Sequence, residues 1–163
     1  MKRQRRTVGA IVRIEIGDGC YCYAQILDKG IAYFDLKTKD TLENKELNKL
    51  LECSVLFFGS VYNDVITRGR WLKVGKLPIR DEFTTLPMKF IHDDLKPGSF
   101  ELYDPNTGEI TPSTYDECKS LECAAVWEGS HVEDRLRDHF NGTTNVWVES
   151  LKAENQKSKH LSA

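Results

Sequence analysis

The chain has 163 residues, of which 40% are hydrophobic and 29% charged, with a formal net charge of −2. This is the composition of a globular chain long enough to bury a real core, and it excludes disordered and collagen-like polymers. No run approaches the roughly 18 apolar residues of a membrane span. Arg13 and Glu15 interrupt the stretch behind the basic start before a secretory leader could form, so a cytoplasmic location is expected.

The near-neutral total conceals an uneven distribution. Residues 1–80 carry 15 Lys/Arg against 9 Asp/Glu, residues 81–134 carry 3 against 13, and residues 135–163 carry 5 against 3. An acidic segment so biased is either a solvated surface or a face suited to a basic partner.

In chain order, Val12, Ile14 and Ile16 alternate with Arg13 and Glu15, the period of a half-exposed strand. Gly17-Asp18-Gly19 then separates this run from Tyr21–Leu27, a strong local signal for a β-hairpin. Ile31–Leu36 adds a third strand behind Lys29-Gly30, completing a meander. Asp40 and Glu43 form a capping box ahead of the helical stripe Leu47, Leu50 and Leu51. Val55–Tyr62 is the most apolar stretch and is expected to be a central strand, with a short strand around Trp71–Val74 after it.

Beyond Arg80 the prolines Pro87, Pro97, Pro105 and Pro112 fall close together. Short edge strands are expected at Met88–Ile91 and Phe100–Tyr103, since proline is confined to sheet edges and ends. Asp104-Pro105-Asn106-Thr107-Gly108 reads as a β-turn. Thr111-Pro112 has the form of a cap and first residue of a helix running to Cys118. Cys123–Trp127 reads as a buried strand. Ser130 and Glu133 form a capping box for a helix carrying Val132, Leu136 and Phe140, with Gly142 at its stop. Trp71, Trp127 and Trp147 are expected as core anchors. The expected fold class is α+β: a bent antiparallel sheet or partial β-barrel with two or three packed helices. Residues 1–163 form one domain in this reading, with a mobile basic lead at 1–7 and a mobile polar tail at 150–163.

The sequence offers few routes to chemistry. GxSxG, GxGxxG and phosphate-loop patterns are absent. Five cysteines, with no CxxC spacing among them, read as reduced thiols in place of a disulfide frame or zinc site. In His92-Asp93-Asp94, the first and third side chains share a face of a strand and the second does not; a turn capped by carboxylates ahead of Lys96-Pro97-Gly98 is the simpler expectation. His131 and His139 lie eight apart, twice the spacing that two zinc ligands on one helix require. The basic lead, Lys2, Arg3, Arg5 and Arg6, lacks interleaved aromatic residues, so no nucleic acid partner is expected.

Several motifs occur together and in order: Gly17-Asp18-Gly19, Tyr23-Ala24-Gln25-Ile26-Leu27, Phe34-Asp35, and the strand from Val55-Leu56-Phe57 to Val61. They continue with Trp71, Gly75 and Pro78, then with Leu86-Pro87, Phe90 and Asp93. In this order they resemble the immunity protein 26 family over roughly residues 8–95. The resemblance implies a bacterial immunity protein that neutralises a polymorphic or contact-dependent toxin by tight binding, without catalysis and without cofactor or metal. A heterodimer with the cognate toxin domain is implied, and no membrane partner. The family label is also associated with small metal-dependent phosphotriesterase-type hydrolases, which is the alternative function.

Because many toxin domains are nucleases with basic clefts, the acidic half is the natural contact. The expected toxin-binding residues are Asp93, Asp94, Glu101, Tyr103, Asp104, Glu109, Tyr115, Asp116 and Glu117. The two tyrosines are the candidate anchors.

Overall fold

The computed structural model describes residues 2–96 and 98–159. Pro97 of the expected Lys96-Pro97-Gly98 turn, and residues 160–163 of the expected mobile tail, lie outside them. The chain groups into two compact units, residues 1–85 with 126–143 and residues 86–125 with 144–163.

The first unit is built on an open six-stranded sheet. Strands β1 (Ala10–Gly17), β2 (Cys20–Leu27) and β3 (Gly30–Thr38) form the expected meander. The first turn works because Asp18 and Gly19 both take left-handed backbone angles, φ 54° and 68°. Two such residues in succession give the turn twist that matches paired strands. β4 (Val55–Val61) lies antiparallel to β3, and β5 (Leu72–Lys76) pairs with β1 at the other edge. β4 is not central: only β10 (Val126–Trp127) lies outside it, pairing in parallel with Ser60 and Val61.

Both faces of this sheet are covered. On one, Val12, Ile14, Ala24, Ile26, Tyr33 and Phe57 join Trp71 in a core closed by Val132 and Leu136 of α3 (Gly129–Asn141) and by Val65 and Ile66 of α1 (Asp64–Thr67). On the other, Ile11, Tyr23, Ala32 and Phe34 are buried, as are Leu47 and Leu50 of the 3-10 helix Asn44–Glu52. That helix begins one turn later than the sequence suggests. Glu43 and Glu46, not Asp40 and Glu43, form its capping box.

The basic lead is fastened to this unit. The Gln4 side chain donates to the Ile66 and Trp71 carbonyls at 2.9 and 2.8 Å and accepts from the Lys73 N–H at 2.9 Å. Arg6 donates to the Leu27 carbonyl at 2.7 Å. Gln4 thereby satisfies backbone groups at the outer edge of β5, which an unprotected edge would leave open.

The second unit holds a four-stranded sheet in the order β8-β7-β6-β9. β6 (Lys89–His92) and β7 (Phe100–Tyr103) are its inner strands, not edges, flanked by β8 (Ile110–Ser113) and by β9 (Glu122–Cys123), which runs parallel to β6. Residues 110–113 are strand where a helix start was expected. α2 (Tyr115–Cys118) is capped by Thr114, whose hydroxyl accepts from the Glu117 N–H. Pro112 suits an edge strand, because it stands opposite Glu101 where an N–H would point away from β7. Residues 123–127 are likewise not one strand: β9 belongs to this unit and β10 to the other. α4 (Val146–Leu151), capped by the Asn145 side chain, and α5 (Ala153–Lys159) follow. Phe90, Phe100, Cys118 and Ala153 form this unit's core, with Leu102, Tyr115, Leu121 and Cys123 packed against it.

Candidate functional site

All nine expected contact residues fall in the second unit, but they do not form one cluster. Strand alternation separates them. Phe90, His92, Phe100 and Leu102 point to the covered face, where His92 and Phe100 have ring centroids 4.7 Å apart. Lys89, Ile91, Glu101 and Tyr103 therefore point to the opposite face, and register places Ile110 and Pro112 of β8 beside them. Glu101 and Tyr103 thus share a face, two residues apart on β7.

Tyr115 is on the other side. Its ring meets Phe100 edge-on, with centroids 5.7 Å apart, as part of the core. Its aromatic surface is committed to packing within the unit. Asp116 and Glu117 are exposed on α2, the helix that covers this same face. Asp116 pairs with Lys119 at 3.6 Å, and Glu117 accepts from the Ser113 hydroxyl at 2.7 Å.

The remaining carboxylates occupy the two hairpin turns at opposite ends of β7. Asp93 accepts from the Leu95 N–H at 2.9 Å, which makes it the expected turn-capping carboxylate. Asp94, in the turn beyond the end of β6 and not on the strand, reaches the buried His92 Nδ1 at 3.5 Å. At the far end Asp104 accepts from both the backbone and the side-chain N–H of Asn106, at 2.8 and 2.9 Å. These bonds, the backbone one first, hold its carboxyl below the usual range. The Asn106 amide also bridges the Leu86 N–H and carbonyl, so the turn is held from two sides. Glu109 is exposed beside it.

The acidic segment of residues 81–134 is also split between the units. Asp81, Glu82, Glu128, Glu133 and Asp134 belong to the first, where Glu82 pairs with Arg80 at 3.2 Å and Asp134 with Arg137 at 2.8 Å. Glu133 does not cap α3 in a box with Ser130. It is buried, and its carboxylate accepts from Arg70 Nε at 2.9 Å, Arg70 Nη2 at 2.5 Å and Trp71 Nε1 at 3.0 Å. Three donors aimed at one buried carboxylate stabilise it better than a solvent-exposed cap would. What remains in residues 86–125 is eight Asp/Glu against three Lys/Arg. Of these, Asp93, Glu101, Asp104 and Glu109 form no ion pair among the described residues.

The five cysteines are free thiols, and burial pushes Cys22 up to about 12, far from the thiolate character of a nucleophile. His139 Nε2 faces Asp35 at 3.3 Å. Among the described residues no group of three or more His, Cys, Asp and Glu side chains is placed to hold a metal ion. No described helix is long and apolar enough to cross a membrane.

Ile91, Ile110 and Pro112 are the residues that sequence reading passed over. Their place beside Glu101 and Tyr103 depends on register across three short strands, and no local pattern reports it. Comparison with known proteins adds one result: the sequence model of a family described as Immunity protein 26 matches residues 7–101. No curated protein and no solved structure matches the chain.

Proposed function

The chain belongs to the immunity protein 26 family, and on that premise we propose that it neutralises a cognate bacterial toxin by direct, tight binding. The toxin domain is a nuclease in this reading, and the protein acts in the cytoplasm as the inhibitory half of a heterodimer, with no catalytic step of its own. The contact is the acidic surface of the second unit. The observation that carries this placement is the set of carboxylates at Asp93, Glu101, Asp104 and Glu109, which make no ion pair among the described residues, while the acids of the first unit include Glu82, Glu133 and Asp134, each paired with an arginine.

A nuclease cleft is basic because it holds a phosphate backbone. A surface rich in carboxylates is complementary to it and accelerates encounter by electrostatic steering. The interaction should therefore weaken as salt rises, chiefly through a slower association rate. The test is calorimetric titration of the full chain into the toxin domain encoded beside its gene, at two salt concentrations. Nanomolar binding that weakens at the higher salt is the expected result. Failure to bind that domain at either concentration overturns the reading.

A further inference from the structure

We infer that the toxin docks on the face of the four-stranded sheet opposite that unit's core, with Tyr103 and Ile110 as its apolar anchors, and not on the α2 side where Asp116 and Glu117 lie. This deepens the proposed function and rests on it. Within the second unit one face of the sheet carries the core side chains Phe90, Phe100 and Leu102, packed with Tyr115 and Cys118 of α2 and Ala153 of α5. The opposite face presents two rows across β6, β7 and β8: Ile91, Glu101 and Pro112 in one, Lys89, Tyr103 and Ile110 in the other. Four of these six are apolar or aromatic. Ile110 is half exposed, at 50%, and stands directly opposite Tyr103, the cross-strand position where side chains lie closest.

An acidic turn closes each end of this face, Asp93 and Asp94 at one and Asp104 and Glu109 at the other. An apolar centre bordered by charge is the usual anatomy of a protein contact, in which buried anchors supply the energy and the rim supplies orientation. The sign of the rim commits the occupant to a basic partner. The β8 edge argues against a different occupant there, a strand from another chain. The Asp104 N–H bonds the Glu109 carbonyl at 3.0 Å, and alternation from that pair turns the backbone groups of Ile110 and Pro112 outward. Pro112 has no N–H to offer there, so continued strand pairing is blocked. Packing onto the face is the mode of contact that remains on the β8 side.

Because Tyr103 is half-buried, its truncation is paired with a measurement that needs no variant. With the co-encoded toxin domain as probe, Tyr103→Ala combined with Ile110→Ala should weaken binding at least about thirtyfold, the scale of an interface hot spot. Asp116→Lys combined with Glu117→Lys should change it by less than about threefold, in keeping with an exposed charge away from the contact. In the wild-type complex, amide hydrogen exchange should show protection gathered in residues 101–111. If the wild-type chain binds but protection falls outside 101–111, or the α2 pair causes the larger loss, the docking face is wrong and the immunity reading stands. If the wild-type chain does not bind, both fall.

Discussion

Glu133 in the first unit and Glu101 in the second are both carboxylates in folded surroundings, yet their settings are opposed. Glu133 is 7% exposed and takes two bonds from Arg70 and one from the Trp71 indole, joining α3 to the segment that enters β5. Glu101 is partly buried on the sheet face opposite that unit's core and forms no ion pair among the described residues. A carboxylate with a full set of donors specifies geometry, because removing it leaves buried groups unanswered. A partly exposed carboxylate without an ion pair holds little of the fold together, so its value lies in what it can meet. The contrast separates a carboxylate that holds the fold from one that is available for recognition.

The sharpest way to break that contrast is Glu133→Ala. With the Trp71 indole N–H left buried and Arg70 without its partner, we expect a loss of about 3 kcal/mol in urea denaturation. A loss no larger than that of Glu101→Ala would remove the distinction. Gly75→Ala probes the same unit by volume. An added Cβ would stand 2.5 Å from Leu47 Cδ1, and Leu47 is buried beneath the sheet. The clash should cost about 2 kcal/mol, read as a lower thermal midpoint.

Tyr33→Phe should act in the opposite direction. The Tyr33 hydroxyl is fully buried and has no hydrogen-bond partner among the described residues, while its ring stacks on Phe57 with centroids 4.4 Å apart. Deleting the hydroxyl keeps the stacking and removes a desolvated polar group, so stability should rise by about 1 kcal/mol. A drop of that size would show that the hydroxyl has a partner in solution.

The smallest effect concerns the second unit. The folded Asp104 carboxyl titrates below its unfolded value because the Asn106 N–H groups bond the charged form. Its contribution is therefore complete above the ordinary carboxylate range and disappears as pH falls through the folded value. Asp104→Asn should flatten the acid side of the stability profile, read as urea midpoints across pH 7 to pH 3. An unchanged profile would mean that the turn does not depend on the charge.

The legible parts of this molecule were those governed by neighbours in sequence. The meander followed from alternation and from Asp18-Gly19, and α3 from its apolar stripe and from Gly142, which takes φ 70° at the helix end. Errors arose where a local signal had a non-local competitor. Ser130 and Glu133 have the spacing of a capping box, but Arg70 and Trp71, more than sixty residues earlier, claim the carboxylate. Pro112 has the form of a helix start, but pairing with β7 makes it an edge residue. For the contact surface, composition located the acidic region, while the division of its residues between two faces and two turns required the register of β6, β7 and β8. Gln4 carried no signal at all, since the carbonyls it bonds belong to Ile66 and Trp71.

The split between β9 and β10 also bears on the order of synthesis. The first unit leaves off at Thr85 and resumes only at Val126, so Val132 and Leu136, which seal one face of its sheet, are made after the whole of residues 86–125. At about 5–20 residues per second, roughly 3–12 s pass on the ribosome between residue 85 and residue 143. During that interval β1–β5 are complete in sequence while the apolar face that α3 covers stays open. Final closure of that sheet is therefore a late, long-range event, of the kind that slows folding and lengthens exposure to chaperones and aggregation.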